Sequence, residues 1–185
     1  MDNPIDSARL RESFYRWQCQ SRKEIMRAKG GVPSPAIQPR VTDAAGREIA
    51  SAITVLLVES APDATTDTLR NMVRKTPDPR ERYQSAVRFL SAAYYQDARN
   101  FADLLTALFA AGSRTGAALK AAGRCVLHFA QGNVRYRVPC DVVDLQPAHP
   151  AFQAAYWHNR LFNPQPPPEV LILGFRPDWP AAAAE

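Results

Sequence analysis

The stretch RCVLHFAQGNVRYRVPCD, residues 124–141, contains an alternating pattern that decides how the rest of the chain can be interpreted. Apolar and polar residues alternate on both sides of a central Gly-Asn pair, and a period of two is typical of a strand with one buried face. Two residues with glycine first are a common hairpin connection. The stretch therefore predicts a β-hairpin with strands near residues 124–130 and 134–143.

The proposed turn also predicts the register of the hairpin. If the Gly-Asn pair is the turn, Cys125 lies opposite Cys140 on the apolar face. The other expected pairs are Leu127 with Val138, Phe129 with Tyr136, Arg124 with Asp141, and His128 with Arg137. One hypothesis about the turn thus separates an apolar face from a polar face, which is the consistency expected of a true strand pairing.

The cysteines of the hairpin could also indicate chemistry. Cys125 and His128 have the spacing of a C-x-x-H ligand pair, but alternation directs them to opposite sides of a strand. A redox pair of Cys125 and Cys140 would need an electropositive, partly exposed setting, whereas their neighbour Leu127 indicates a dry face. The pattern favours two buried thiols, and we predict neither a metal site nor a cofactor.

Two further segments are apolar on both faces, and they are expected to complete the sheet. They lie near residues 50–59, in EIASAITVLLVES, and near residues 169–175, in EVLILGF. Continuous aliphatic runs of this length are typical of strands covered on both sides. With the hairpin, they predict a sheet of about four strands, antiparallel or mixed, in an α+β fold.

Residues 65–122 have helical spacing and are predicted to form a layer that packs on this sheet. In ARNFADLLTALFAAG, one helical face would carry Phe101, Leu104, Leu105, Leu108 and Phe109. Ser113 is expected to cap a last helix of the layer, which would end at Gly123. A shorter helix is expected over residues 150–158.

The N-terminal region is predicted to be a long amphipathic helix, SARLRESFYRWQCQSRKEIMRAKGG, followed by a proline-rich connector. We therefore divide the chain into an N-terminal region, residues 1–45, and a single α+β domain, residues 46–185. The division follows the change from helical spacing and prolines to the first apolar strand pattern.

The positive charge of the protein is concentrated in this N-terminal region. Residues 1–40 contain eight Lys or Arg and four Asp or Glu, which leaves +4 of the total formal charge of +5. The candidate partner-binding residues are Arg16, Arg22, Lys23, Arg27 and Lys29. A basic helix of this kind predicts a non-enzymatic protein-interaction or assembly module that contacts a protein partner, and the alternative is a nucleic-acid-binding protein using the same segment.

A second alternative rests on His158, Asn159 and Arg160, which follow a tryptophan in PAHPAFQAAYWHNRLF. These three side chains could bind an anion through charge-assisted hydrogen bonds, as part of an anion-binding domain or an enzyme. The motifs G-x-G-x-x-G, G-x-x-x-x-G-K-[ST], H-E-x-x-H and G-x-S-x-G do not occur in the chain, so we assign no catalytic residue.

The sequence also gives an expectation for location. No apolar run reaches the roughly 18 residues that a membrane-spanning helix needs, and the N-terminus is polar. The odd count of three cysteines is typical of reduced thiols. We therefore expect a cytoplasmic protein without a membrane span.

Overall fold

A computed structural model of the protein has an α+β fold with one antiparallel sheet. The structure describes residues 36–37, 39–51, 53, 55–57, 63–78, 81–82, 104–131, 134–163 and 165–184. Within these ranges the predicted α+β class is confirmed, and every strand pairing is antiparallel rather than mixed. The predicted number of strands is too low, because five short strands accompany four longer ones.

The strands are β1 (Ala36–Ile37), β2 (Arg40–Thr42), β3 (Glu48–Ala50), β4 (Val55–Leu57), β5 (Leu105–Ala110), β6 (Arg124–Gln131), β7 (Val134–Asp144), β8 (Val170–Pro177) and β9 (Ala183–Ala184). Their order across the sheet is β1, β4, β5, β8, β7, β6, β2 and β3, and β9 pairs with β7. The hairpin of β6 and β7 therefore lies inside the sheet, between β2 and β8.

The register predicted for this hairpin is confirmed at every position. The pairing runs from Arg124 opposite Asp141 to Gln131 opposite Val134, and Cys125 lies opposite Cys140. The expected ion pair across the strands also forms, with 3.0 Å between Arg124 Nε and Asp141 Oδ1. The predicted strand near residues 169–175 is confirmed as β8.

Three helices accompany the sheet in the described ranges: α1 (Asp63–Lys75), α2 (Arg114–Ala122) and α3 (Pro150–Phe162). The predicted ends of α2 are confirmed. The Ser113 side chain accepts a hydrogen bond from the Gly116 backbone N–H, and Gly123 closes the helix in the left-handed conformation that glycine adopts without strain. Helix α3 continues beyond the predicted residue 158 to Phe162.

The segment of β5 was predicted to be helical, and the structure shows that this prediction is wrong. Leu105, Thr106 and Ala107 have no solvent exposure, so both faces of the strand are covered. A strand buried on both sides needs no alternation of polarity, and its apolar residues then fit helical spacing equally well.

The strand predicted near residues 50–59 is only partly present. In the described residues, β3 and β4 lie on either side of Ile53, whose backbone N–H donates to the carbonyl oxygen of Pro39. β4 is not central, since it lies between two-residue β1 and β5 at one end of the sheet. The stretch predicted as a connector also contributes β1 and β2.

The two faces of the curled sheet are covered by different helices. The inner face packs against Leu119 of α2 and contains both hairpin cysteines and Phe175. Helix α3 packs through Phe152 on the opposite face, where it covers β5 and β8. Helix α1 packs in turn on α3. This arrangement leaves the far side of β6 and β7 without a covering helix among the described elements.

The predicted N-terminal helix lies outside the described residues, and the division of the chain at residues 45 and 46 stays a prediction. None of the helices in the described ranges is both long and apolar enough to cross a membrane.

Candidate functional site

The polar side of the β6–β7 hairpin continues into neighbouring strands as one surface, which we call the outer face. It is opposite the inner face, because the residues between its members are the buried Cys125, Leu127, Tyr136 and Val138. Its basic residues are Arg40 on β2, Arg124 and His128 on β6, Arg135 and Arg137 on β7, and Arg176 on β8.

Strand pairing arranges most of these residues in two rows across the sheet. In one row, Arg40 lies opposite His128, and His128 lies opposite Arg137. In the other row, Asp141 lies between Arg124 and Arg176. Directly opposed side chains on one face have Cβ atoms about 4.5 to 5.5 Å apart. The register therefore concentrates cations on a surface only four strands wide.

Acidic residues neutralise part of this charge. Arg124 contacts Asp141 at 3.0 Å and Asp178 at 3.9 Å, and Arg40 lies 3.9 Å from Glu48. These groups are all substantially exposed, and exposed ion pairs of this kind contribute little to stability. They do reduce the positive potential around Arg124 and Arg40.

Three arginines of the outer face differ from Arg124 and Arg40 in having no salt bridge to a described residue, although Asp141 lies opposite Arg176. Arg135, Arg137 and Arg176 are exposed, and none of them forms an ion pair with another residue in the described part of the chain. A guanidinium group stays protonated at physiological pH and presents five N–H donors in a planar fork. The arrangement can therefore bind anionic oxygen atoms.

His128 has a different role, because it is tied to the sheet. A hydrogen bond of 3.0 Å joins its Nε2 atom to Oγ1 of Thr42, which is 2% exposed. The bond connects the hairpin to β2 and holds the imidazole in the middle of its row, between Arg40 and Arg137.

The cysteines of the inner face are structural. Burial raises the pKa of Cys125 to about 12, and burial together with the nearby Cys125 raises the pKa of Cys140 well above its usual range. The thiolate is the nucleophilic form of cysteine, so both side chains are poor nucleophiles near neutral pH. This agrees with two buried thiols, as the hairpin register predicts.

The structure places His158, Asn159 and Arg160 on three different sides of α3. His158 is 5% exposed and continues the buried stripe of Ala154 and Ala155. The guanidinium carbon of Arg160 lies 4.6 Å from the ring centroid of Tyr156. Consecutive helical residues diverge by about 100°, so these side chains are not gathered around one point. Anion binding by these residues stays a prediction.

A second group of arginines lies where α1 meets α3, and it was not predicted from the sequence. Arg70 and Arg74 both stand over the ring of Trp157, at 5.7 and 5.8 Å from its centroid. The Trp157 Nε1–H donates to Oε1 of Gln153 at 3.2 Å. Arg70 also pairs with Asp67 at 2.9 Å. The two cation–π contacts join α1 to α3, and the other two contacts lie within one helix each, so we assign this cluster to packing.

The remaining predicted site residues cannot be placed. Arg16, Arg22, Lys23, Arg27 and Lys29 lie outside the described residues. Among the residues that are described, no group of three or more His, Cys, Asp and Glu could hold a metal ion. Arg135 and Arg176 were not among the predicted site residues. The signal for Arg135 was the alternation of the hairpin itself, in which Arg135 and Arg137 alternate with Tyr136 and Val138.

The geometry of the outer face is the basis for assigning it a function. No protein-family model matches the chain, and no curated protein matches it significantly.

Proposed function

We propose that this protein is a non-enzymatic interaction module that binds an anionic partner through basic surfaces. The observation that carries the proposal is the outer face, where Arg135, Arg137 and Arg176 are exposed and form no ion pair within the described ranges. Unneutralised surface charge attracts and orients partners of opposite charge. The formal net charge of the whole chain, +5, has the same sign as this local surface.

The basic N-terminal segment is a second surface within the same proposal. Its candidate contacts are Arg16, Arg22, Lys23, Arg27 and Lys29, and its proposed partner is an acidic region of another protein. Both surfaces carry the positive charge that an anionic partner requires.

Binding to heparin, a generic polyanion, tests this proposal. The three variants to compare each lose three positive charges: Arg22→Gln/Arg27→Gln/Lys29→Gln in the N-terminal segment, Arg135→Gln/Arg137→Gln/Arg176→Gln on the outer face, and Lys75→Gln/Arg114→Gln/Lys120→Gln on α1 and α2. The last variant is the matched control for net charge, because its residues belong to α1 and α2 and to neither the outer-face strands nor the N-terminal segment. It also removes the ion pair of Lys120 with Asp144 at 2.7 Å, so its fold is checked like that of the other variants.

We expect the full chain to bind the heparin column and the first two variants to elute at lower salt than the control. Equal elution of all three variants would show that only net charge matters, and the proposal would then be wrong. Circular dichroism of each variant establishes that it is folded before the column is run.

A further inference from the structure

We propose that the outer face binds the phosphodiester backbone of a nucleic acid without selecting its sequence. This inference rests on the proposed binding of an anionic partner and names the chemical class of that partner. It concerns Arg135, Arg137 and Arg176, the three outer-face arginines that form no ion pair with another described residue.

The spacing of the arginine charges favours a nucleic acid as the partner. Arg135 and Arg137 are two positions apart on β7, which is about 6.5 to 7 Å along a strand. Arg176 is on β8 opposite Asp141, and Asp141 is four positions beyond Arg137 on β7, which is about 13 Å along a strand. Duplex DNA carries about one negative charge per 1.7 Å of its axis. A phosphate backbone therefore offers charges at both separations, whereas a protein would need several carboxylates placed individually.

The chemistry of the three side chains also favours phosphate groups. All three groups are arginines, whose planar fork donates two parallel hydrogen bonds to the oxygen atoms of a phosphate. Lysine would supply the charge without this geometry, and no lysine occurs in β2, β6, β7 or β8. A surface made only of guanidinium cations fits phosphate oxygens well.

The outer face presents few exposed aromatic or aliphatic side chains that could form the core of a protein–protein interface. Such cores are depleted in charge and are built on exposed aromatic or aliphatic anchors. Between the outer-face arginines, Val126 is 4% exposed and Thr42 is 2% exposed, so neither can enter a partner's pocket. Electrostatic contact with a polyanion does not require such an anchor.

The outer face is not expected to distinguish one base sequence from another. The outer-face positions of the described β2, β6, β7 and β8 strands carry no Phe, Tyr or Trp on which a base could stack. Contacts to phosphate position a protein on a nucleic acid but carry no sequence information. The binding is therefore expected to tolerate any sequence and to depend strongly on salt.

The test is fluorescence anisotropy with a labelled oligonucleotide of mixed sequence, both single-stranded and as a duplex. The full chain is titrated at several salt concentrations between about 50 and 200 mM, where phosphate contacts have their largest effect. We expect Arg135→Gln/Arg137→Gln/Arg176→Gln to bind at least about tenfold more weakly and to reduce the salt slope by about 2 to 3. The Lys75→Gln/Arg114→Gln/Lys120→Gln control should bind like the parent protein.

Three further measurements decide the result. A second oligonucleotide of scrambled sequence should bind equally, and poly-glutamate of matched charge should bind far more weakly than either. Tight binding of poly-glutamate that is lost in the outer-face variant would overturn the nucleic-acid assignment and leave the proposed function intact. An outer-face variant that keeps the parent's affinity and salt slope for the oligonucleotide would refute the inference even if heparin binding persists through the N-terminal segment.

Discussion

Thr42 and His128 are 86 residues apart in the sequence, and a hydrogen bond of 3.0 Å joins their side chains across β2 and β6. β2 has only three residues, so this bond is a substantial part of what holds it against the hairpin. The buried hydroxyl of Thr42 would lose a partner if the imidazole were displaced.

We expect Thr42→Val to lower the free energy of unfolding by about 0.5 to 1.5 kcal/mol. The substitution keeps the shape and β-branching of the side chain but removes the hydroxyl that bonds to His128. Urea unfolding measures the change, and Thr42→Ser, which keeps the hydroxyl, is the comparison. A valine variant as stable as the parent protein would mean that this bond contributes nothing to β2.

Gly174 provides a second test, because a side chain at this position has no space. A Cβ atom there would lie 2.8 Å from Cδ1 of Leu104 and 3.3 Å from Cδ2 of Leu145. We expect Gly174→Ala to destabilise the protein by about 1 to 3 kcal/mol. Gly112→Ala is the matched control, since a Cβ atom at Gly112 would meet nothing within 4 Å. Equal melting temperatures of the two variants would contradict the packing described for β8.

The sequence predicted the two strands of the hairpin and their register because the signal is local. Alternation identifies the two faces, and a two-residue turn leaves only one register that keeps Cys125 and Leu127 on the same side as Cys140. Each of these features can be read within 18 residues, without knowing what else packs on the hairpin. The caps of α2 were predictable for the same reason.

The rest of the sheet depends on distant contacts. Thr106 lies in the buried first half of β5 although it is polar, because β4 and β8 flank it on either side. No pattern within β5 reveals those neighbours. Similarly, Arg176 joins the outer face only through the pairing of β7 with β8, which is not encoded near Arg176. The candidate site could thus be predicted for the hairpin alone.

The raised pKa of Cys125 predicts a loss of stability in alkali. In the unfolded chain the thiol has a pKa near 9.0, whereas burial in the fold raises the pKa to about 12. Ionisation therefore favours the unfolded state in this window, and the stabilising contribution present below pH 9.0 is lost as the pH rises through about 12. Cys125→Ala should lose about 1 kcal/mol less than the parent between about pH 8 and about pH 10. Urea unfolding at the two pH values measures this difference, and identical losses would contradict the pKa shift.

The same burial should protect the two hairpin cysteines from alkylation. Iodoacetamide reacts with thiolates, and both thiols are buried with raised pKa values. We expect mass spectrometry to find Cys125 and Cys140 unmodified in the native protein and modified in urea. Rapid native labelling of either residue would show that the inner face opens near it.

The arginines over Trp157 should stabilise the contact between α1 and α3. Cation–π pairs at partly exposed sites contribute about 0.5 to 1 kcal/mol. A double-mutant cycle of Arg74→Met with Trp157→Leu is expected to give a coupling of this size in thermal unfolding. Arg114→Met in the same cycle serves as the control, because Arg114 is on α2 and should show no coupling to Trp157.

The packing of α1 on α3 has a consequence for how the protein fluctuates. Among the described elements, α1 is attached chiefly through Leu69 and its neighbours to Leu161 and Trp157 of α3, and it pairs with no strand. Opening α1 breaks none of the described strand pairings, so we expect its turns to open as a separate cooperative unit. Amide hydrogens of α1 are expected to exchange with solvent well before those of β6 and β7. The protein would then combine a persistent sheet with a helix that detaches and returns many times during one lifetime of the folded state.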